Sequence, residues 1–348
     1  WGLWSAYLPS ALQDQNISTA TQELFNSLNF VGGNVTTQDV TGAGLIVSGQ
    51  GGNQNGTGVP ENQTLFINQG TDAPVTAEII DGALAVTVTL PPGVDLAVSG
   101  PSTAVNAEQM SEYINDLVGK ALQEQASDPY VAAYITALQN AINTLQQQVD
   151  GQQVIVRVVS FAGDSGSASG SATTETASTG NNVVFDAGSA ATNELFVLRL
   201  DQVADGTTVT LKNVENAMLV DSGSVIVDGS TAARVVGDMT AQKITGGAGN
   251  DTLVGGGGND TLVGGAGDDV IGFNALGHYT LEGFGSGSDK LAFDFDTITN
   301  IAQLEALITD VQQVGGDVTY VFNQGEASIT LIGVTADQIS ADLVQFTL

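Results

Sequence analysis

The sequence predicts a mainly β chain with one helical hairpin: an N-terminal α+β domain followed by a C-terminal parallel β-roll, or solenoid. Three observations carry this. Residues 246–272 are three consecutive nine-residue blocks of one pattern, glycine-rich in front and aliphatic behind. Short alternating apolar stretches bounded by Gly, Asn and Pro recur on both sides of them. Residues 106–149 hold the clearest apolar pattern at helical spacing.

Residues 1–160 make up the expected N-terminal domain. Residues 1–30 read as two helical pieces, the second with Leu24, Phe25 and Leu28 on one face. Trp1 and Trp4, the only tryptophans, close that local core or belong to a loose end, with docking on another subunit the alternative. Residues 31–103 read as β. Gly44–Gly49 and 64–70 are short strands, 83–90 alternates, and Pro91-Pro92-Gly93 turns the chain into Val94–Ser99. Asn106 is an N-cap candidate with Glu108 in the first turn, followed by Met110, Tyr113, Ile114 and Leu117 at helical spacing. Ser127-Asp128-Pro129 ends this helix and starts a second through Tyr134, Leu138, Ile142 and Leu145. Two amphipathic helices joined so tightly predict a hairpin packed on the β region.

Val154–Phe161 is a strong strand. A second segment, 161–218, opens with the Gly/Ser/Thr-rich stretch 162–182, the expected boundary or loop. Strand-like pieces at 183–185, 195–200, 207–211 and 218–220 then lead into a solenoid expected at 219–272.

The solenoid's blocks are Gly246-Gly-Ala-Gly-Asn-Asp-Thr-Leu-Val254, Gly255-Gly-Gly-Gly-Asn-Asp-Thr-Leu-Val263 and Gly264-Gly-Ala-Gly-Asp-Asp-Val-Ile-Gly272. All fit G-G-x-G-x-D-x-U-x, with U a large aliphatic residue. The glycines at positions 1, 2 and 4 are Gly246, Gly247 and Gly249, then Gly255, Gly256 and Gly258, then Gly264, Gly265 and Gly267. They permit left-handed turns and leave carbonyl oxygens uncovered. Position 5 brings Asn250, Asn259 and Asp268; position 6 brings Asp251, Asp260 and Asp269. Hard oxygen ligands of both kinds are what Ca²⁺ requires. These residues are the candidate calcium site, and Leu253, Leu262 and Ile271 are expected to point inward. The register continues upstream through 237–245, 228–236 and 219–227, with Ile244, Val235 and Ile226 at the aliphatic position. These repeats lack the glycine–aspartate turn and read as metal-free coils of the same solenoid.

The block pattern resembles the RTX (repeats-in-toxin) family. The resemblance implies that two blocks make one turn of the roll. Alternate blocks then lie on the same side and sandwich a calcium. Carried onto this chain, Asp251 and Asp269 share one side and Asp260 takes the other. One complete site follows between the first and third blocks; the second needs a partner turn from its flanks. Residues 273–348 resemble the C-terminal cap and uncleaved secretion signal of RTX proteins exported by type I machinery. The resemblance lies in Asp289-Lys-Leu-Ala-Phe293, Ser328-Ile-Thr-Leu-Ile-Gly-Val334 and an acidic-apolar tail to Leu348. A helix at 301–308 and a hairpin of 317–322 with 327–332 fill this segment.

Charge restricts the partners. The chain has 38 acidic and 7 basic residues, a formal net charge of −31. Such a surface repels nucleic acid and anionic membranes and suits metal cations. With no cysteine there are no disulfides or thiolate metal sites, and calcium binding can supply folding energy instead. No apolar run reaches the roughly 18 residues of a membrane-spanning helix. No N-terminal signal-peptide pattern is visible, and the chain starts at Trp1 rather than methionine, as a processed or trimmed chain would.

Catalytic signatures fail one by one. His278 is the only histidine, which excludes H-E-x-x-H. No G-x-S-x-G elbow exists. Gly163-Asp-Ser-Gly166 has no histidine before it, as a chymotrypsin-like order needs. Only a carboxylate pair of the glycosidase type stays open in so acidic a chain. The expectation is therefore no enzyme. We expect a secreted, calcium-binding structural protein that self-associates into an extracellular assembly: surface layer, filament or biofilm matrix. Its place is the outside or cell surface of a Gram-negative bacterium, reached by type I export. The alternative is a calcium-dependent adhesin or glycan-binding module using residues 31–103, where Phe66 is the sole aromatic; an unrecognised hydrolase ranks below it. Calcium should order residues 219–348, with a dissociation constant of about 10⁻⁴–10⁻³ M.

Overall fold

The computed structural model describes residues 35–40, 44–50, 62–69, 75–81, 84–90, 94–101, 104–114, 139, 142–143, 145–146, 151–163, 182–187, 194–200, 203 and 207–348 apart from 286 and 296. The helices expected at 1–30, most of the hairpin's second helix and the Gly/Ser-rich stretch 164–181 lie outside the described residues.

Six strands come first: β1 Val35–Val40, β2 Gly44–Gln50, β3 Asn62–Gln69, β4 Val75–Asp81, β5 Leu84–Leu90 and β6 Val94–Pro101. Helix α1 (Ala107–Ile114) follows. Its N-terminus is a reciprocal cap: Gln109 N–H donates to Asn106 Oδ1 (2.9 Å) and Asn106 N–H to Gln109 Oε1 (3.1 Å). Then come β7 Ile155–Gly163, β8 Asn182–Asp186, β9 Glu194–Arg199, β10 Thr208–Lys212, β11 Asn216–Val220 and β12 Gly223–Asp228. The roll continues through β13 Arg234–Val236, β14 Gln242–Thr245, β15 Thr252–Val254, β16 Gly258–Val263, β17 Val270–Phe273, β18 Gly277–Glu282 and β19 Lys290–Phe293. The end is α2 Ile301–Leu307, β20 Ile308–Val314, β21 Asp317–Phe322, β22 Ala327–Leu331 and the short β23 Val344–Gln345.

From β7 to β19 successive strands alternate between two sheets. The first runs β1-β2-β3-β6-β7-β9-β11-β13-β15-β17-β19-β23 and the second β20-β21-β22-β18-β16-β14-β12-β10-β8-β5-β4. Each short turn crosses from one sheet to the other. Strands of the same sheet are therefore a full coil apart and pair in parallel. The registers Ala217↔Val235↔Leu253↔Ile271 and Ile244↔Leu262 stack like residues on like, all buried between the sheets. Aromatic rings fill the interior at both ends. Phe161, Phe185 and Phe196 pack upstream at centroid distances of 6.1 and 6.3 Å. Downstream, Phe273 meets Tyr279 at 4.9 Å and Phe293 at 5.0 Å.

A second core lies on the outer face of the first sheet. Met110, Tyr113 and Ile114 of α1, with Ile142 and Leu145, pack there with Val156, Val158, Leu195, Val197, Met218 and Val220. The expected docking of the helical segment on β structure is thus seen for its described residues. Strand β9 accordingly buries both faces, as parallel strands covered on two sides do.

Three expectations are corrected. Parallel pairing begins with β7–β9 and β8–β10, well before residue 219, so the strand pieces of 161–218 are coils of the roll rather than an approach to it. Their unequal steps (Val183↔Val209, then Val209↔Val225) hide any nonapeptide period. Ile226 is not inward: Val225 pairs with Ile244, and Ile226 is exposed, because the coil from β12 to β13 holds one extra residue. Finally, Ile308, expected to end the helix, and residues 309–314, unassigned in the sequence reading, form a third strand beside the expected hairpin. The N-terminal strands also join these sheets, through β6–β7 and β5–β8.

Candidate calcium centre

The turns of the roll fall on two sides. One side carries 229–233, 246–251, 264–269 and 283–289; the other carries 237–241, 255–257 and 274–276. On the first side the position-6 aspartates form a ladder. Asp251 Oδ1 accepts Ala233 N–H (2.8 Å), Asp269 Oδ1 accepts Asp251 N–H (2.8 Å) and Asp289 Oδ1 accepts Asp269 N–H (3.0 Å). Asp251 Oδ2 and Asp289 Oδ2 turn back onto their own turns, accepting Gly247 N–H (2.8 Å) and Gly285 N–H (2.6 Å). A parallel exposed ladder runs beside it: Asn250 Oδ1 takes Asp268 N–H (3.0 Å) and Asp268 Oδ1 takes Ser288 N–H (2.9 Å). On the opposite side Asp260 Oδ1 accepts Gln242 N–H (2.9 Å). Beneath it Asp238 accepts Asp221 N–H (2.9 Å), Thr240 N–H (2.9 Å) and the Gln242 amide.

Asp238, Asp251, Asp260, Asp269 and Asp289 are all buried. Asp260 Oδ2 and Asp269 Oδ2 have no hydrogen-bond partner. A buried carboxylate oxygen without a donor is expensive unless a cation meets it. Burial pushes the Asp260 carboxyl up to about 8, with Asp238 adding to the rise and the Gln242 N–H opposing it. Burial also raises Asp269, against the Asp251 N–H, and the charges of Asp289, Asp251 and Asp268 raise it further. A divalent cation reverses both penalties.

The glycines leave room for it. A Cβ on Gly265 (φ +105°) would come within 2.8 Å of the Gly246 carbonyl oxygen and closer still to that of Gly247. A Cβ on Gly267 would meet the Gly249 carbonyl and, at 3.0 Å, Asn250 Oδ1. One on Gly256 would collide with the Gly237 carbonyl. Side chains here would fill the space the carbonyls face. Among the described residues no group of three His, Cys, Asp or Glu side chains could hold a metal, so carbonyl oxygens must supply most ligands. That donor set, one or two carboxylates with several carbonyls, fits calcium. On one side successive pairs, Asp251 with Asp269 and Asp269 with Asp289, could each hold it together with carbonyls such as those of Gly246 and Gly249; on the other, Asp260 and Asp238 with the Gly237 carbonyl.

The blocks' glycines and aspartates come together as the pattern implied, with Asp251 and Asp269 on one side and Asp260 on the other. Asn259 does not join them: β16 begins at Gly258, and Asn259 sits exposed on its outer face opposite His278. Sequence reasoning missed Asp238, Gln242 and Asp289. Asp289 was legible in Gly283-Phe-Gly-Ser-Gly-Ser-Asp289, but its step from Asp269 is 20 residues rather than the 18 between Asp251 and Asp269. A strict nine-residue template skips it.

Comparison with known families agrees with this geometry. The RTX calcium-binding nonapeptide repeat matches residues 237–271 in four copies. The four take in 237–245, which the sequence reading had as a metal-free coil. Gly237 against Gly256, and Gln242 on Asp260, show why: this coil is the partner turn of the second block. No curated protein matches the chain. The RTX nonapeptide repeat binds calcium, and residues 237–271, which match it, stack here as parallel strands, consistent with an RTX β-roll.

Proposed function

We propose that this chain is a secreted structural subunit that folds on calcium outside the cell and self-associates into an extracellular assembly. RTX repeats are typical of secreted proteins, and among the described residues no helix is long and apolar enough to cross a membrane. The observation that carries this reading is the continuity of its two sheets. They take in every described strand, from β1 to β23, and leave an exposed edge strand at the downstream end of the second. Binding energy of calcium becomes folding energy for the coils between. The type I machinery is the proposed export partner, since the C-terminal hairpin and tail directly follow the calcium turns.

A non-catalytic role also accords with the position of His278. It lies exposed on the outer face of the second sheet, its Nδ1 2.9 Å from Ser328 Oγ, on a strand ladder rather than in a cleft. Electron microscopy of the full chain with calcium and with chelator tests the proposal. Ordered assemblies that form only with calcium are expected. A monodisperse monomer at high calcium and high concentration would overturn it, and glycan binding by that monomer would favour the adhesin reading.

A further inference from the structure

The two sheets end differently downstream. The first ends on β23, only two residues long, whereas the second ends on β20, seven residues long. β20 pairs with β21 on one flank, with one register shift between Ile308 and Asp310, and among the described residues with no strand on the other. Every residue of it except Ile308 is exposed, Val311 at 44% and Val314 at 74%. Edge strands of this length are usually guarded by lysine, proline or inward charge, because their free N–H and C=O groups invite another strand. β20, Ile-Thr-Asp-Val-Gln-Gln-Val, has no lysine, no proline and one charge, Asp310.

The free flank can be assigned. The Val311 N–H donates to Asp310 Oδ1 (2.9 Å), so it turns away from β21. By the two-residue alternation of an antiparallel ladder, the backbone groups of Val311 and Gln313 face the open side; the register shift between Ile308 and Asp310 ends the alternation before Thr309. Read against itself antiparallel about Val311, the strand is self-complementary. Within the regular stretch Asp310–Val314, Val311 meets Val311 and Asp310 meets Gln312 on either side. Apolar faces apolar, the acid faces an amide and no like charges oppose. Centring on Asp310 instead would set two carboxylates face to face and turn the wrong backbone groups inward.

We propose that β20 is a self-pairing edge and that its partner is a second copy of this chain. The two copies of β20 run antiparallel across a two-fold axis at Val311 and join two second sheets into one continuous sheet. About two inter-chain backbone hydrogen bonds form at the central Val311 pair, short of the irregularity at Thr309. The contact is isologous and closes at two copies, so a longer assembly uses a further contact elsewhere. Asp310 guards the strand, since its carboxylate must release the Val311 N–H before pairing. A single strand pair buries little surface, so the association depends strongly on concentration. The inference rests on the assembly reading and names one of its contacts.

The test uses the full chain in calcium. The protein has no cysteine, so Val311→Cys introduces a single thiol. Hydrogen-bonded antiparallel neighbours have Cα atoms about 5.5 Å apart, within disulfide reach. Under a mild thiol oxidant Val311→Cys should form covalent dimer about tenfold faster than Leu276→Cys, an exposed control on another turn, because pairing raises the effective thiol concentration. Val311→Pro removes an N–H that β21 does not use; in sedimentation velocity it should abolish the wild-type dimer while leaving calcium-dependent circular dichroism unchanged. If wild type assembles but Val311→Cys cross-links no faster than the control, the β20 contact is wrong and the assembly reading stands. If wild type stays monomeric at high calcium and concentration, both fall.

Discussion

Asp269 sits midway in the carboxylate ladder, and Asp269→Asn separates its two roles. The amide keeps an oxygen to accept the Asp251 N–H, now held at 2.8 Å, so the backbone ladder persists. What disappears is the charge, together with an anionic Oδ2 that no donor satisfies. Two opposite effects follow. Without calcium the variant sheds a buried charge that crowds Asp251, Asp289 and Asp268, so the roll should be as ordered as wild type or more so. With calcium it loses a charged ligand. A charge-assisted contact is worth about 1.5–3 kcal/mol, or about a ten- to hundredfold loss in affinity. At calcium one hundred times the wild-type dissociation constant, a site stabilises the fold by about 2.7 kcal/mol, and a tenfold weaker site by about 1.4 kcal/mol. Asp269 faces the turns of both Asp251 and Asp289, so two sites weaken at once. Calcium titration followed by circular dichroism, with thermal melts in calcium and in chelator, reads both effects. Wild-type calcium affinity, or a chelated variant less ordered than chelated wild type, would refute the reasoning.

Asp289→Asn should reduce calcium stoichiometry or affinity in isothermal titration although residue 289 lies outside the matched repeats; with only one turn beneath it, its effect should be smaller than that of Asp269→Asn. Gly265→Ala combines φ +105° with a Cβ against the Gly246 carbonyl, so it should lower stability by at least about 2 kcal/mol and remove a calcium site, read by melts and titration. The pH response should change sign with the metal. Asp260's folded value, about 8, exceeds its unfolded value, so its contribution to the chelated fold is fully present below about pH 4 and is lost as pH rises towards 8. Chelated protein should therefore melt higher at pH 5 than at pH 8, whereas calcium-loaded protein should melt lower at pH 5, because ligation requires the ionised carboxylate. Hydrogen exchange after chelation should expose the amides of β14–β17 while those of β9 and β11 stay protected.

The part of this fold written most openly in the sequence is the part made by a repeated local rule. A block whose glycines must sit under carbonyls and whose single aliphatic residue must point inward leaves the same trace each time. Leu253, Leu262 and Ile271 could be placed before any coordinates. Val183, Val209 and Val225 stack just as regularly, yet their spacing is uneven and only the hydrogen-bond register reveals them. Ile226 shows the limit from the other side: Val-Ile-Val is aliphatic at every position, and a one-residue slip reverses which faces inward. Asp238 was hidden because its coil has one glycine where the three blocks that follow have three or four, so the carboxylate carried no pattern. β20 was hidden because Val311 and Val314 face solvent, and no amphipathic face marks them as a strand.

Apolar burial and calcium divide the roll between them. Upstream, β9 buries Leu195, Phe196, Val197 and Leu198 in a single strand and packs helix α1 on its outer face. In the matched repeats β15 is three residues long and buries only two of them, as does β13 just before the repeats. A three-residue strand removes too little apolar surface to offset the entropy of ordering its glycine-rich turn. Those same turns hold the buried aspartates, which repel each other from coil to coil. Each Asp–Asp step is therefore a bond in calcium's presence and a break in its absence, and because every coil touches only its neighbours the response runs along the stack. The short strands place the calcium-dependent region between a well-packed upstream roll and a capping hairpin. Calcium then decides whether the two ends are parts of one rigid body, and an assembly built through β20 would inherit that dependence.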